Sequence, residues 1–471
     1  MKKHSVLLKE KLCEGCTNCV KKCPTKAIRV HQGKATIKED LCIDCAECIR
    51  TCAYHAKYSR TNIIEDMKDN KYPIILIPPS FYGQFDGVEP IEIHRALYKI
   101  GFKEVQDVAM AAEALSIKTM DYMLNNPGMF INSSCPVVVR MIKILYPELI
   151  GHLIKFKSPV EMMAELVKNQ AQEKGILLED IAVFFITPCP AKNTTIFNPM
   201  GIEESFLDKA ISVDLIYQEI IDIFDQEKRA KKQEENTDSD LARNQDIEEV
   251  ESNIIYQGQA KENQIKAIPY RGLRWGQSEG EASLLQENIR KKTLSVSGIH
   301  NVKALLEEIS RNNLKGLKYF ELAACNQGCV GGVFNVSNPY QAKYNLRKMV
   351  ENCKEMAEQD YSKYNYKLSK ELQAIQVDTL DSNMEKAMKK LRQLEQEIDS
   401  LPGLDCAACG APDCKTLAED IVNGKGKSSD CIFVLRQQLE DLADRMSELA
   451  HALPPVMRER EKKKKSKNID S

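Results

Sequence analysis

The sequence of 471 residues contains no apolar run that approaches the ~20 residues needed for a membrane-spanning helix. It also lacks an excess of charge of one sign, because 66 Lys and Arg residues face 68 Asp and Glu residues. Its first residues, MKKHSVLLKEKLCEGC, show neither the long apolar region nor the small-residue cleavage site of a secretory signal. We therefore expect a cytoplasmic protein that binds neither membranes nor nucleic acids.

Cysteine, by contrast, is abundant, with 17 residues. Disulfides do not persist in a reducing cytosol, and closely spaced cysteines there favour metal ligation. A chain of 471 residues also predicts several domains. We expect a cysteine-rich module at 1–62, an α/β core at 70–348, a helical connector at 349–400, a small four-cysteine domain at 401–433, and an amphipathic helix with a basic tail at 434–471.

The α/β expectation for residues 70–348 comes from alternating strand-like apolar runs and amphipathic helices. One helix is predicted to begin at Ser158, with Glu161 placed for a capping box. The segment 225–253 interrupts the pattern, because it is charged and free of aromatic residues. We interpret it as a solvated insertion.

Two cysteine runs with the same spacing lie in the amino-terminal module. They comprise Cys13, Cys16, Cys19 and Cys23, and then Cys42, Cys45, Cys48 and Cys52. The doubled spacing resembles that of bacterial two-cluster ferredoxins, in which the fourth cysteine of each run binds the other cluster. The resemblance implies one [4Fe–4S] cluster on Cys13, Cys16, Cys19 and Cys52, and a second on Cys42, Cys45, Cys48 and Cys23. Zinc sites usually use two separated pairs instead.

Four more cysteines occupy three short motifs that are far apart in the α/β core. They are Cys135 in SSCP, Cys189 in TPCPAK, and Cys325 and Cys329 in ELAACNQGCVGG. The first two follow strand-like runs, and loops at strand ends are where α/β folds place their sites. Taken singly, each is more often a buried core thiol than a ligand. The glycines around the last pair are expected to let the backbone approach a bulky ligand closely.

In order and flanking residues, the three motifs resemble the signatures TSCCP-x-W, MPC-x2-K-x2-E and E-x-M-x-C-x2-GC-x-GG of the [FeFe]-hydrogenase catalytic domain. The resemblance implies an α/β core of hydrogenase type, with two small sheets flanked by helices. It implies that Cys135, Cys189, Cys325 and Cys329 hold a [4Fe–4S] cluster. Cys329 would also bridge to a two-iron subsite carrying CO, cyanide and a dithiolate. Lys192 matches the lysine that hydrogen-bonds a cyanide ligand, which is a charge-assisted contact.

The sequence departs from efficient members of that family where protons are moved. Ser134 occupies the position of a cysteine that passes protons to the bridging amine, and a hydroxyl releases a proton much less readily. The stretch 114–122 does not present the carboxylates and arginine of the onward relay. Thr187 and Ala323 replace two methionines that pack around the subsite. The departures resemble the branch to which a sensory role is ascribed, so we expect slow turnover of hydrogen.

The last cysteine group consists of Cys406, Cys409, Cys414 and Cys431. It resembles the small four-cysteine [4Fe–4S] domain of corrinoid-protein partners and membrane electron-transport subunits. Zinc stays open as an alternative, because four cysteines suit it well. The helix that follows carries an apolar stripe that could pair with a second copy of the chain, which predicts a homodimer.

Together, the resemblances imply a slow or sensory hydrogenase with four [4Fe–4S] clusters and a two-iron subsite, acting on H2 and protons. We expect a ferredoxin-like or other redox partner, and a separate signalling partner. Two alternatives stay open, a non-catalytic iron–sulfur assembly protein and an electron carrier without the two-iron subsite. Cys353 and the basic tail are assigned no role.

Overall fold

The computed structural model describes residues 4–241, 270–352, 360–376, 381 and 383–452. These form two compact units, a first unit of residues 4–12 and 38–376 and a second unit of residues 13–37 and those described from 381 onward. The strands are β1 Val6–Leu8, β2 Ile28–His31, β3 Lys34–Ile37, β4 Lys57–Ser59, β5 Tyr72–Ile77, β6 Glu104–Asp107, β7 Phe130–Ile131, β8 Ile181–Thr187, β9 Lys209–Ser212, β10 Thr293–Ser297 and β11 Tyr319–Ala323.

The helices alternate with these strands through much of the first unit. They are α1 Asn18–Lys22, α2 Glu47–Arg50, α3 Pro79–Tyr82, α4 Pro90–Ile100, α5 Val108–Asn125, α6 Pro136–Leu145, α7 Pro159–Glu173, α8 Pro190–Phe197, α9 Val213–Leu241, α10 Tyr270–Leu273, α11 Glu287–Arg290, α12 Ile299–Ser310, α13 Pro339–Asn352, α14 Met384–Ser400, α15 Cys414–Val422 and α16 Ile432–His451. No helix in the described part of the chain is long and apolar enough to cross a membrane.

Two parallel sheets organise the first unit. One has the strand order β6-β5-β8-β9 and the other the order β10-β11-β7. Strands β5 and β8 are buried along nearly their whole length, which explains their continuous apolar sequences. Two small sheets flanked by helices are the core that the sequence predicts.

Three of these strands lead directly into the cysteine motifs. Strand β7 is followed by the loop to Cys135, β8 by the loop to Cys189, and β11 by the loop to Cys325. The first two cysteines stand immediately before α6 and α8, each of which begins with a proline. Proline suits the first helical position because it needs no amide hydrogen there.

Two expectations about helices change in the structure. The charged insertion predicted over 225–253 continues α9 as far as Leu241, because its Glu, Lys, Gln and Ala residues are strong helix formers. Residues 242–253 lie outside the described residues. The connector predicted over 349–400 is helical at its two ends, but residues 360–376 are not. There the backbone amide of Lys157 bonds the carbonyl of Tyr366, and Tyr364 is buried in the core.

The capping box predicted at the start of α7 is absent. Ser158 does stand at the N-cap, but its side chain makes no capping hydrogen bond. The Glu161 carboxylate instead accepts hydrogen bonds from the Ser205 hydroxyl at 2.6 Å and the Phe206 amide at 2.9 Å. A buried tertiary contact therefore takes the carboxylate that the local pattern assigns to the cap.

The second unit combines the β2–β3 hairpin with the carboxy-terminal helices. The hairpin is antiparallel, with Ile28 opposite Ile37. Helices α14 and α15 pack together around a small core that also contains a cysteine: Leu394, Leu401, Ala411, Leu417, Ala418 and Cys431. The tail from 453 onward lies outside the described residues, as does Cys353.

Candidate cluster-binding and active site

Cysteines from three distant loops line one cavity in the first unit. The cavity has a volume of about 160 Å³, and Cys135, Cys189, Cys325 and Cys329 all contribute to its wall. Lys192 and Ser134 line it as well. The structure thus brings together every residue that the sequence assigns to this site, as a shared cluster requires. Their roles as ligands stay predictions.

Two helices direct their amino-terminal ends at the cavity. Cys135 and Cys189 are the N-cap residues of α6 and α8. Backbone amides of the first helical turns, including those of Val138 and Lys192, hydrogen-bond these sulfur atoms and act to lower the pKa of the thiols. The positive end of each helix therefore favours a thiolate or an anionic cluster.

Burial nevertheless raises the pKa of the cavity thiols when no metal is bound. Burial is the largest cause for Cys135, for Cys189, whose pKa rises to about 11, and for Cys325. The negative charges of neighbouring cavity thiolates raise each of these pKa values further. Iron reverses this balance, because a coordinated thiol is deprotonated outright. The donor set is therefore one that a positively charged metal core would stabilise.

Lys192 supplies the cationic side chain of the cavity. Its Nζ atom lies 3.7 Å from the sulfur of Cys329 and 5.7 Å from the centre of the Phe185 ring. Burial acts to lower the pKa of this lysine, but the thiolates of Cys329 and Cys189 outweigh burial and raise the pKa. Cavity cysteines in their thiolate form therefore favour the charged form of Lys192.

The spacing of the sulfur atoms argues against a single zinc ion. Four thiolates around zinc stand about 3.8 Å from one another, given tetrahedral bonds of about 2.3 Å. Among the described residues, three or more candidate ligand atoms come within 4.8 Å of each other at one place, formed by His4, Cys42 and Asp44. Asp44 accepts hydrogen bonds from Ser5, Thr194 and Arg140. No three of the sixteen described cysteines bring their sulfur atoms within 4.8 Å of one another.

The second cysteine run packs against the same cavity. Cys45 contributes to the cavity wall. Arg50, between Cys48 and Cys52, donates to the Gly331 carbonyl at 2.5 Å and points at the Cys325 sulfur at 3.8 Å. The second run and the cavity motifs are therefore direct neighbours.

Asp44 anchors this run to the core. Its buried carboxylate pairs with Arg140 of α6 at 2.9 Å and accepts a hydrogen bond from Thr194 of α8 at 2.7 Å. It also accepts from the amide of Ser5 at 2.9 Å. One buried carboxylate thus holds the second run against the two helices that carry Cys135 and Cys189.

The second unit contains the first cysteine run and the carboxy-terminal cysteine group. In the first run, Gly15 adopts a left-handed conformation and approaches Gly33 so closely that a side chain could not fit. In the carboxy-terminal group, Cys414 opens α15 and Cys431 caps α16. Burial raises the pKa of Cys409, and so do the charges of Cys431 and Cys406. Cys406, Cys409 and Cys431 therefore lie close enough for their charges to affect one another's ionisation.

Comparison with known proteins decides between the possible families. The model of the iron-only hydrogenase large subunit, C-terminal domain, matches residues 71–333, which is more than half of the chain. The chain belongs to the [FeFe]-hydrogenase family. A 4Fe–4S dicluster domain matches residues 5–53, and an Fe–S cluster domain matches residues 401–433. Family membership therefore assigns iron–sulfur clusters to this protein.

Curated relatives of the [FeFe]-hydrogenase family match at low identity. Iron hydrogenase 1 of Clostridium pasteurianum is 22% identical over 258 residues, covering 51% of this chain and 44% of the relative. The periplasmic [Fe] hydrogenase large subunit of Nitratidesulfovibrio vulgaris is 31% identical over 214 residues, covering 41% and 51%. The chain spans about half the length of these relatives. A variant of [FeFe]-hydrogenase HydA1 from Chlamydomonas reinhardtii is similar in structure, with a TM-score of 0.40, 19% identity, and coverage of 59% of this chain and 84% of that one.

The cavity offers polar atoms that suit the cofactor of [FeFe]-hydrogenases. The Ser80 hydroxyl and the Gln277 carbonyl oxygen are buried without a hydrogen-bond partner, and both residues line the cavity. Buried polar atoms usually have partners, so unpartnered ones here indicate room for a polar group. Together with the Lys192 ammonium, they fit a cofactor that carries small polar or anionic ligands.

Two buried carboxylates of the cavity, Glu281 and Glu321, have no role in the sequence prediction. Glu281 accepts hydrogen bonds from the Tyr319 hydroxyl at 2.5 Å and from Asn132 at 3.5 Å. Burial, and then the nearby Glu321, raises the pKa of Glu281 to about 8. Burial also raises the pKa of Glu321. Glu321 is the first residue of the third cysteine motif, so the sequence marks its position but not its burial. Glu281 is far from any motif.

The two glycines that follow Val330 lie directly against protein backbone. A side chain at Gly332 would meet the Pro188 carbonyl at 2.3 Å, and one at Gly331 would meet the Asn326 carbonyl at 2.0 Å. Protein backbone occupies the space that side chains at these two positions would need. Gly332 thereby brings the Cys329 loop against the loop of Cys189, which makes the shared site possible.

Proposed function

We propose that the chain is a slow, sensory-type [FeFe]-hydrogenase that binds and splits H2 in the cavity of the first unit. The second cysteine run would hold a cluster that carries electrons between the cavity and a ferredoxin-like or other redox partner. A separate signalling partner reads the state of the protein in the cytoplasm. The observation that carries the proposal is the convergence of four cysteines, a charged lysine and two unpartnered polar atoms on one cavity.

The cofactor side of the proposal assigns four ligands and one hydrogen-bond donor. Cys135, Cys189, Cys325 and Cys329 would hold the [4Fe–4S] cluster, and Cys329 would also bind the two-iron subsite. When bound, that subsite supplies the Lewis-acidic metal that polarises and splits H2. Lys192, whose Nζ atom lies 3.7 Å from the Cys329 sulfur, would hold an anionic ligand of the subsite in place.

The proton side of the proposal depends on Glu281. Its pKa of about 8 lies close to neutral pH, where a carboxylate can both accept and release a proton. Glu281 and Ser134 line the same cavity, and Asn132 joins Glu281 to the loop that carries Ser134. We assign Glu281 the role of proton acceptor, with Ser134 as the less efficient donor that keeps turnover slow.

The electron side depends on the contact between the second cysteine run and the cavity. Arg50, within this run, lies 3.8 Å from the sulfur of Cys325, and Cys45 lines the cavity itself. Asp44 fixes the run through its buried pair with Arg140. Short, fixed spacing favours electron transfer between clusters, because the rate falls steeply with distance.

Infrared spectroscopy of the anaerobically matured full chain tests the central claim. CO and cyanide bands are expected, because only the two-iron subsite carries these ligands. The Lys192→Ala variant should shift or lose the cyanide bands while the iron content of the cubanes stays the same. An absence of all bands after complete maturation would overturn the proposal and favour an assembly or electron-transfer protein.

Hydrogen-uptake assays with a dye acceptor test the sensory claim separately. Turnover is expected to be slow, and Ser134→Cys should raise it by about 10-fold or more if proton release limits the rate. The Glu281→Gln variant should lower turnover by about 100-fold, with unchanged infrared bands. Wild-type turnover as fast as that of dedicated hydrogenases would contradict the sensory role.

A further inference from the structure

Within the second unit, the carboxy-terminal cysteine group docks onto the segment that carries the first cysteine run. The backbone amide of Val30, in β2, donates to the carbonyl of Gly410 at 2.9 Å. Gly410 directly follows Cys409 in the chain. A side chain at Gly410 would meet the Val30 carbonyl at 2.0 Å, so glycine is required for this approach.

A buried ion pair fixes the same contact. Arg29 of β2 donates through Nε to the Asp420 carboxylate of α15 at 2.5 Å, and their side chains are only 3% and 5% exposed. Arg29 also donates to the carbonyl oxygens of Lys26 and Ile28. A buried pair of this kind contributes little net stability, but breaking it leaves an unpaired buried charge. The pair therefore specifies one docking geometry.

A second ion pair lies close to a cysteine on each side. Lys26 pairs with Asp413. Lys26 stands three residues after Cys23, whose sulfur accepts a hydrogen bond from the Ala27 amide at 3.2 Å. Asp413 caps α15 by accepting from the Thr416 amide at 2.8 Å, directly before Cys414. One end of this ion pair thus borders Cys414 of the carboxy-terminal group, and the other borders Cys23, the cysteine that the first run is expected to contribute to the second cluster.

The hairpin carries the first cysteine run on the same short segment. Gly33, at its turn, packs against Gly15, and the Lys34 ammonium donates to the Cys13 carbonyl at 2.7 Å. Val30 and Gly33 are three residues apart, a span of at most about 11 Å. One hairpin therefore holds the Cys13–Cys16 loop and the Cys409 loop near each other.

We propose that the carboxy-terminal cubane exchanges electrons directly with the cubane of the first cysteine run, across the β2–β3 hairpin, with Arg29 and Asp420 as positioning residues. One electron moves, oxidising one cubane from [4Fe–4S]⁺ to [4Fe–4S]²⁺ and reducing the other by the same amount, with no change in bonds or protons. A low-potential one-electron carrier would be the external donor or acceptor. This electron exchange rests on the proposed hydrogenase function only for its biological purpose, because the exchange itself requires no hydrogenase activity.

Electron paramagnetic resonance of the full chain, reconstituted with iron and sulfide and reduced with dithionite, tests the inference. No two-iron subsite is needed, so the result does not depend on the hydrogenase proposal. In the wild type, the reduced carboxy-terminal cubane should show spin–spin broadening and accelerated relaxation. The Cys431→Ala variant lacks the carboxy-terminal cubane. Its spectrum should therefore lose the broadening that this cubane causes and keep only the interaction between the amino-terminal clusters.

The Asp420→Asn variant tests the positioning role. It should lose most of the broadening that depends on Cys431 and retain its iron content. The matched control is Glu440→Gln, which breaks the exposed pair of Arg436 and Glu440 in the same unit and should leave the spectrum unchanged. If Asp420→Asn fails to retain iron, the wild type and Cys431→Ala still decide the question. A wild-type spectrum equal to that of Cys431→Ala plus one isolated cubane signal would overturn the inference.

Discussion

The two cysteine sites that lie outside the paired amino-terminal runs are built in opposite ways. The cavity of the first unit gathers its four cysteines from three loops spread over almost 200 positions, from Cys135 to Cys329. The carboxy-terminal group takes all four from one segment between Cys406 and Cys431. The first arrangement depends on two sheets and on glycines that let backbones touch. The second depends on a tight loop and two helix starts. Tertiary structure thus makes one site, and local sequence makes most of the other.

Removing one ligand from each site gives the largest expected contrast. The Cys329→Ala variant should abolish the CO and cyanide bands and reduce hydrogen uptake to background. The Cys431→Ala variant should keep these bands, because its cysteine lies in the other unit. Infrared spectra of both variants, matured in parallel, check the prediction. Loss of the bands in Cys431→Ala as well would show that the two sites do not assemble independently.

Glycine substitutions sharpen the contrast between packed and open positions. A methyl group at Gly332 would stand 2.3 Å from the Pro188 carbonyl, so Gly332→Ala should destabilise the first unit by about 3 kcal/mol. Gly424, in the second unit, has φ +69° and nothing within 4 Å of its added methyl group. Gly424→Ala should therefore cost only about 1 kcal/mol of backbone strain. Urea unfolding midpoints of both variants measure the difference, and equal shifts would contradict it.

The pH dependence of stability should have opposite signs in the two units. Glu281 has a raised pKa of about 8, so the folded state keeps a proton that the unfolded chain loses near pH 4.3. Its contribution to stability therefore falls as pH rises from about 4.5 to 8, by about 3 kcal/mol or more. Glu281→Gln should flatten this slope in unfolding experiments between pH 5 and 8.5. An unchanged slope would show that Glu281 ionises normally.

Asp413 is the matching group in the second unit. Burial acts to raise its pKa, but hydrogen bonds from Lys26 and Thr416 outweigh burial and lower the pKa below its usual range. Its contribution is therefore present above about pH 4 and is lost as pH falls further. Asp413→Asn should lower stability at pH 7 and leave the slope between pH 5 and 8 unchanged, which serves as the control for Glu281→Gln.

The smallest effect on either cluster site is expected from the exposed face of α16. Six apolar residues repeat at alternating steps of three and four, and all are more than 40% exposed: Ile432, Leu435, Leu439, Leu442, Met446 and Leu449. This is the heptad pattern of a coiled coil. We propose that α16 pairs with the same helix of a second copy. Leu439→Asp should halve the mass measured by light scattering, with infrared bands unchanged. A monomeric wild type would contradict the pairing.

Much of the candidate site could be predicted because its parts are short motifs. Cys135 and Cys189 follow strands that read as apolar runs, and a proline after each cysteine marks a helix start. Charged groups that act through buried contacts could not be predicted in the same way. Glu281, Asp44 and Arg140 look like ordinary surface residues in the sequence. Burial gives Glu281 its raised pKa, and the fold brings Asp44 and Arg140 together as a buried pair.

Local patterns also misled where tertiary contacts compete. Glu161 fits a capping box, but the Ser205 hydroxyl and the Phe206 amide bind its carboxylate instead. The glycines near Cys329 are expected to let the backbone approach a ligand, and the missing side chain of Gly332 also admits the Pro188 carbonyl. In each case the local rule is sound, but a distant segment makes a better use of the same atoms.

By itself, the sequence determined which cysteines share one loop in the two amino-terminal runs and the carboxy-terminal group, and it predicts that they hold iron–sulfur clusters. It also indicated which segments of the α/β core form strands and which form helices. The tertiary structure alone decided that three remote loops meet at one cavity, that Asp44 ties the second cysteine run to that cavity, and that Gly410 lies against Val30. These outcomes depend on packing and on the pairing of buried charges, which are properties of positions in space and not of neighbours in the chain.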